Sequence, residues 1–353
     1  MSQEEIRLGR RILGPNHAPM IVAEMSGNHN QSLDRALAIV RAAGKAGAHA
    51  VKLQTYTADS MTLDIKEGPF VVQDPKSIWF GRSLYDLYTE ASTPYDWHAP
   101  IFKLCHDLGM DCFSTPFDDS AVDFLESLGV PAYKIASFEL TDLPLIRRVS
   151  RTGKPLIIST GMASLGEIAD SVSTARAAGA RDIVLLKCTS SYPASPIDSN
   201  VRTIPHLAQA FDVQVGLSDH TLGIGAAIAS IAMGATFIEK HFTLSRADGG
   251  VDSMFSLEPS ELAALVTESE RAWQALGCVN YEPAKKEVGS KAFRRSLIVA
   301  EDIKEGDLFS SRNLRRLRPG YGLACAFYDE VIGKKATSHI QRGTPLKNGM
   351  WQP

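Results

Sequence analysis

"VQVGLSDHT", Val213 to Thr221, starts as an apolar run with the look of a buried strand and ends in Ser218, Asp219 and His220. The same outline recurs along the chain. Toward the N-terminus it is found in "IVAEMS" (21–26), "AVKLQTY" (50–56), "DCFSTPF" (111–117), "AYKIAS" (132–137), "PLIIST" (155–160) and "DIVLLKCTS" (182–190), and beyond it in "TFIEKHF" (236–242), making eight runs. Between them lie helical patterns such as "SLDRALAIVRAAGKAG", "SAVDFLESLG", "LGEIADSVSTARAAGA" and "LGIGAAIASIAMG", each ending near a glycine, where helices commonly stop. A further one, "PSELAALVTESERAWQALG", carries Leu262, Leu265 and Trp273 on one side. Eight strand–helix units within about 250 residues predict a (β/α)8 TIM barrel of the α/β class. An open doubly wound sheet seldom uses eight equal units.

Two segments break this rhythm. Residues 57–93 form an insertion after the second run, far longer than an ordinary βα loop, and an insertion there reads as a lid or substrate loop. After about Asn280 the alternation stops. The tail contains short strand-like runs and an internal echo, "DIKEGDLF" (302–309) and "HIQRGTPL" (339–346), each with an isoleucine followed three residues later by glycine. The expected organisation is a barrel over residues 1–280, a linker over 281–290 and a small β-rich domain over 291–353.

A barrel builds its active site where the strands finish. The polar residues there are Glu24; Lys52 and Gln54; Ser114 and Thr115; Lys134, Ser137 and Glu139; Ser159, Thr160 and Gly161; Lys187, Thr189 and Ser190; Ser218, Asp219 and His220; and Glu239, Lys240 and His241. Lysines inside apolar strands are costly unless paired or used. One reading pairs them with Glu24, Glu139 or Glu239 as a structural ion network. The other uses Lys52 and Lys134, with nearby hydroxyls and the "STGM" turn (159–162), to hold a small anion bearing phosphate and carboxylate. His220 and His241, on neighbouring strands, are placed to ligate one divalent ion with positions left for water and substrate. The other histidines, among them His29, His98 and His206, have no such pairing. Glu24 and Glu139 are candidates for proton transfer at a sugar or water oxygen, or for structural acceptors.

Composition removes several classes of function. The chain has 353 residues and a formal charge of −3, without a long basic run, so neither nucleic acid nor an anionic membrane is an expected partner. "MSQEEIRLGRRILGPNH" lacks the apolar core of a signal peptide, and no window is apolar for long enough to form a membrane helix, so a cytoplasmic location is expected. The five cysteines are scattered without a CxxC pair and read as free, mostly buried thiols.

The strings "AEMSGNH", "VKLQTY", "FSTPFD", "AYKIASFE", "STGMAS", "LKCTSSYPA", "GLSDHT" and "EKHF", in this order, resemble the sialic acid synthase family, which joins phosphoenolpyruvate (PEP) to an amino sugar to make nonulosonic acids. The tail with "DIKEGDLF" and "RPGYG" is similar to that family's SAF domain, an antifreeze-like β-clip unit. Within the family, "SIWFGRSLYDLYTEASTPYDWH" (77–98), "LKCTSSYPA" (186–194) and "DSMFSL" (252–257) are most similar to the pseudaminic acid synthases. Where sialic acid synthases usually have a Gly-Pro-Asp string, this chain has "DGGVDS", which argues against N-acetylmannosamine as the acceptor.

The resemblance implies that His220 and His241 hold a manganese or magnesium ion, and that Lys52, Ser114, Thr115, Lys134, Ser137, Ser159 and Gly161 hold PEP, with Ser218 nearby. It implies that Glu24 and Glu139 handle proton transfer, that Gln54 and Tyr192 line the sugar site, and that Arg318 reaches in from a partner subunit in a domain-swapped homodimer. The implied acceptor is 2,4-diacetamido-2,4,6-trideoxy-L-altrose, giving pseudaminic acid and phosphate by C–O cleavage of PEP. Asp219 is left to orient an imidazole. The alternatives are N-acetylneuraminate or legionaminate synthesis, a barrel metallohydrolase, which would need more ligands, and a non-catalytic barrel carrying an ice- or carbohydrate-binding tail.

Overall fold

The computed structural model describes residues 5–352. Every one of the eight apolar runs is a strand of one closed parallel barrel. The strands are β1 (Met20–Glu24), β2 (Ala50–Thr55), β3 (Asp111–Pro116), β4 (Tyr133–Ile135), β5 (Leu156–Ser159), β6 (Ile183–Cys188), β7 (Gln214–Asp219) and β8 (Phe237–His241). Each pairs with its neighbours in chain order, and β8 closes on β1 in the register His241 to Glu24. The helices of the outer ring are α1 (Leu33–Lys45), α2 (Tyr95–Asp107), α3 (Asp119–Ser127), α4 (Leu143–Ser150), α5 (Leu165–Ala177), α6 (Thr203–Phe211), α7 (Gly225–Ala232) and α8 (Pro259–Leu276). Their starts follow ordinary capping chemistry: Ser32 accepts from the Arg35 N–H, and Ser164 and Glu167 form a capping box.

Alternation along the strands separates two cores. Ile21, Val51, Leu53, Ile158, Leu185, Val215 and Ile238 pack outward beneath the helices. Met20, Val22, Ala50, Phe113, Ala132, Ile157, Val184, Leu186 and Phe237 fill the inside of the barrel. A short antiparallel hairpin, Ile6–Leu8 with Arg11–Leu13, adds Ile6, Leu8 and Leu13 to this inner core. Hydrocarbon fills most of the N-terminal half of the barrel, with Gln214 a buried polar exception that accepts from Thr236 Oγ1 at 3.2 Å, and most inward polar side chains fall in the C-terminal half.

The insertion after β2 carries the helices Ala58–Met61 and Leu84–Ala91, and Val71 bridges Ser83 between them. No helix among the described residues is long and apolar enough to cross a membrane. All five cysteines are free, and Cys105, Cys112 and Cys188 are buried.

Chain contacts divide the molecule between Gly277 and Cys278. In the second unit β9 (Ser296–Val299) pairs antiparallel with β10 (Leu314–Leu317). The echo seen in the sequence is a pairing in space: Ile303 and Ile340 exchange backbone hydrogen bonds of 2.9 and 2.8 Å. The glycine after each isoleucine turns the chain, with φ +81° at Gly306 and +87° at Gly343. Leu297, Val299, Phe309, Leu314, Val331 and Leu346 complete a small separate core around that pair.

Candidate active site

Period-two alternation decides which strand-end residues meet. The inward positions that are apolar at the bottom of the barrel become polar at the top: Val22 gives way to Glu24, Ala50 to Lys52 and Gln54, Phe113 to Thr115, Ala132 to Lys134, Ile157 to Ser159, and Phe237 to Glu239 and His241. At the centre is a buried ion cluster. Lys52 Nζ lies 3.0 Å from Glu24 and 3.5 Å from Glu239, and Lys134 Nζ lies 3.1 Å from Glu239. Lys52 also donates to Thr115 Oγ1 at 3.2 Å, Ser218 to Glu239 at 3.1 Å and Gln54 to Glu24 at 3.0 Å. The ion network read from the sequence is therefore present, and its members are the same lysines expected to hold an anion.

Burial without full pairing sets the protonation states. It raises the Glu24 carboxyl to about 7, with Lys52 opposing and Glu239 reinforcing the rise. It raises Glu139 to about 7 as well, against a backbone hydrogen bond and the more distant Lys134. Burial lowers Lys134, with Glu239 pulling the other way. For Lys52, burial is outweighed by Glu239 and Glu24, so this ammonium is held more firmly than usual.

Among the described residues, Ser159 Oγ, Glu239 Oε2, Glu139 Oε2 and His241 Nδ1 are buried and make no hydrogen bond within the chain. Such orphans are rare in a folded protein unless something else binds them. Beside them the Gly161 N–H donates to Ser137 Oγ at 3.0 Å, and a Cβ at Gly161 would collide with the hydroxyls of Ser137 and Ser190. This glycine opens a cradle of two hydroxyls and a backbone amide, the type of donor set that takes an oxyanion.

The register of β7 against β8, Asp219 beside Lys240, brings His241 next to His220, and their ring centroids are 5.3 Å apart. His220 Nδ1 donates to the Thr189 carbonyl at 2.9 Å and lies 3.8 Å from Cys188 Sγ. Burial disfavours its charged form, but Cys188 and that carbonyl outweigh it and hold the imidazole above its usual range, so a metal at Nε2 would displace a proton. His241 is held well below the usual imidazole range by burial and by the nearby His220, and so stays neutral. The orphaned Nδ1 of His241 and, once deprotonated, the Nε2 of His220 fit a divalent ion that takes its remaining ligands from water and substrate. Among the described residues no group of three or more His, Cys, Asp or Glu side chains is arranged to hold a metal, so the larger ligand set of a barrel metallohydrolase is not assembled.

Two expectations from the sequence change. Ser114 sits between the inward Phe113 and Thr115 and therefore faces outward, bonded to Thr55 Oγ1 at 2.6 Å, with His98 behind Thr55 at 2.8 Å. Asp219 likewise faces out; its Oδ2 accepts from Lys240 at 2.8 Å and its Oδ1 from the Thr221 N–H at 2.9 Å, so it orients no imidazole. Arg318 is exposed in the second unit.

Above the ion cluster is a cavity of about 480 Å³ lined by Gln54, Glu139, Tyr192 and His241, all anticipated, and by Ser26 and Asp252, which were not. Ser26 Oγ donates to Asp252 Oδ2 at 2.5 Å, and that carboxylate lies 3.8 Å from His241 Nδ1. Ser26 adopts φ +46°, in the left-handed region that residues other than glycine seldom enter.

Residues 39–281 match the NeuB family and residues 294–350 the SAF domain. The chain is 42% identical over 332 residues to the pseudaminic acid synthase of Campylobacter jejuni, covering 94% of this chain and 96% of that one. To the N,N'-diacetyllegionaminic acid synthase of the same organism it is 35% identical over 326 residues, covering 91% and 97%. Among solved structures, the N-acetylneuraminic acid synthetase of Leptospira borgpetersenii superimposes with a TM-score of 0.73 at 32% identity, over 82% of this chain and 95% of that one.

Proposed function

The chain belongs to the NeuB family, and from that premise we propose that it condenses PEP with 2,4-diacetamido-2,4,6-trideoxy-L-altrose and water to give pseudaminic acid and phosphate. The observation that carries this reading is the adjacency of two anion-ready features to an imidazole pair: Lys52 and Lys134 with the orphaned Ser159 hydroxyl, and the Gly161 cradle. The acceptor assignment rests on the higher identity to a pseudaminic acid synthase than to a legionaminic acid synthase, 42% against 35%.

In this scheme Lys52 and Lys134 balance the phosphate and carboxylate of PEP, while Thr115, Ser137, Ser159, Gly161 and Ser218 orient it. A manganese or magnesium ion on His220 and His241, when bound, supplies Lewis acidity toward the acceptor aldehyde. C3 of PEP forms the new carbon–carbon bond, and Glu139, protonated in its buried position, gives its proton to the aldehyde oxygen as that becomes a hydroxyl. Water adds at C2 and passes a proton toward Glu24. The C2–O bond then breaks as the new C2 hydroxyl becomes the ketone and gives its proton to the departing phosphate, which leaves with the bridging oxygen. Gln54 and Tyr192 hold the sugar.

PEP carrying heavy oxygen at the bridging position tests this step directly. All label should appear in phosphate; label retained in the sugar acid would contradict C–O cleavage. Glu139 gives a pH prediction. A proton donor with a pKa of about 7 works in its protonated form, so kcat/KM should fall as pH rises through about 7. Glu139→Gln should lower kcat roughly 100-fold and remove that limb of the pH profile. A profile unchanged by the substitution would assign the limb elsewhere.

A second copy is proposed to cover the barrel mouth. Phe138, Met162, Ile197 and Leu222, on the loops after β4, β5, β6 and β7, are 60%, 64%, 84% and 60% exposed. Apolar side chains clustered on a rim favour a partner surface. The proposed occupant is the C-terminal domain of a partner subunit, with Arg318 reaching the acceptor. Arg318→Ala should raise the acceptor KM about tenfold and leave the KM for PEP unchanged; unaltered acceptor affinity would count against the swapped arrangement. Dependence on PEP makes the cytoplasm the expected compartment.

A further inference from the structure

The acceptor cavity is lined by two chemically unlike groups of residues. Its polar lining, Gln54, Glu139, His241 and Asp252, comes from strand ends and βα loops, while much of its apolar lining, Met61, Val72, Trp79, Leu84 and Leu87, comes from the insertion after β2. Of the residues the insertion supplies to the cavity, only Tyr88 carries a hydroxyl.

The hydrogen-bonding groups of this apolar wall are already engaged. The single donor of Trp79, Nε1–H, goes to the Val251 carbonyl at 3.0 Å, and its ring lies 5.6 Å from that of Tyr192. This bond ties the insertion to the loop after β8. The Val72 N–H donates to the Arg82 carbonyl at 3.0 Å, and the Val72 carbonyl accepts from the Gly81 N–H at 3.0 Å. Leu84 and Leu87 belong to a helix capped by Ser83. A sugar hydroxyl pressed against these residues would give up water and find little in exchange, whereas a methyl group would gain from the same contact.

We propose that this wall, anchored by Trp79, is the specificity-determining element for the acceptor, and that it selects sugars whose C6 is a methyl rather than a hydroxymethyl group. The inference rests on the synthase reading above and adds to it the residues that read the sugar's deoxygenated end. An apolar wall of this kind rejects an added hydroxyl only moderately, so the expected preference is roughly 10- to 100-fold in kcat/KM.

The test uses the full-length protein, PEP, a divalent metal and two 2,4-diacetamido acceptors that differ only at C6. The methyl sugar should be preferred by the stated factor. Val72→Thr, which keeps the shape and adds a hydroxyl, should narrow the preference severalfold. Trp79→Phe, which keeps an aromatic face and removes the anchor, should raise the acceptor KM while the KM for PEP holds. Equal kcat/KM for the two acceptors, or a preference untouched by both substitutions, would overturn the proposal while phosphate release still upheld the synthase reading. No phosphate release with either acceptor would overturn both.

Discussion

His241→Ala should lower phosphate release from PEP by about 10³-fold or more at saturating manganese or magnesium. Polarisation of a carbonyl by a divalent ion contributes several kcal/mol to a transition state, and each 1.36 kcal/mol is tenfold in rate. At the barrel mouth His241 faces His220, with ring centroids 5.3 Å apart. Its Nδ1 is buried and makes no hydrogen bond to any described residue, so truncation breaks no bond at that atom. The fold should survive, and the loss should appear in metal binding as well as in turnover. Calorimetric titration of the metal into wild type and variant separates the two effects. Turnover at the wild-type rate would defeat the metal assignment.

Lys134→Met should cost about 10²- to 10³-fold in kcat/KM for PEP, the range seen when one preorganised charge partner is removed from an anionic site. Methionine keeps the length of the side chain and deletes its charge. The KM for the acceptor should hardly move, because Lys134 bonds to Glu239 deep in the barrel and does not line the acceptor cavity. Breaking a buried ion pair from one side commonly destabilises by about 3–5 kcal/mol. Here Glu239 keeps Lys52 at 3.5 Å and Ser218 at 3.1 Å, so the loss of stability should be smaller than that range. A variant with an unchanged kcat/KM for PEP would return the lysines to a purely structural role.

These predictions rest on residues that strand periodicity alone selects. Val22 and Glu24, Ala132 and Lys134, and Phe237, Glu239 and His241 are each two apart on one strand, so the apolar bottom and polar top of the barrel were already written in the chain. Ser114 and Asp219 show the cost of treating every polar residue at a strand end as one set. Each is flanked by inward residues and must point the other way, toward Thr55 and His98 in one case and Lys240 in the other. The motif "SDH" thus divides between two layers of the fold: Ser218 and His220 in the barrel, Asp219 outside it.

What periodicity could not reach lies in loops and in very short elements. Asp252 and Ser26 meet across 226 residues through turns that have no repeating pattern, although the "DGGVDS" string drew attention to that loop. Trp79 is an ordinary aromatic in the sequence and becomes an anchor only because the carbonyl of Val251 lies beneath the folded insertion. The hairpin at residues 6–13 has strands of three residues, too short to announce themselves against the polar sequence around them. In the tail, by contrast, the isoleucine–glycine echo was visible in the sequence as a sign of a small β-rich unit, and the two copies pair because each supplies the same turn and the same core residue.

Phosphate release measured with PEP, a divalent metal and a small panel of amino sugars tests the central claim most directly. The panel holds 2,4-diacetamido-2,4,6-trideoxy-L-altrose, the acceptor for legionaminate and N-acetylmannosamine. Turnover with the altrose sugar, abolished by a chelator and accompanied by one equivalent of nonulosonic acid per phosphate, is the predicted result. Turnover with N-acetylmannosamine and none with the altrose sugar would contradict it.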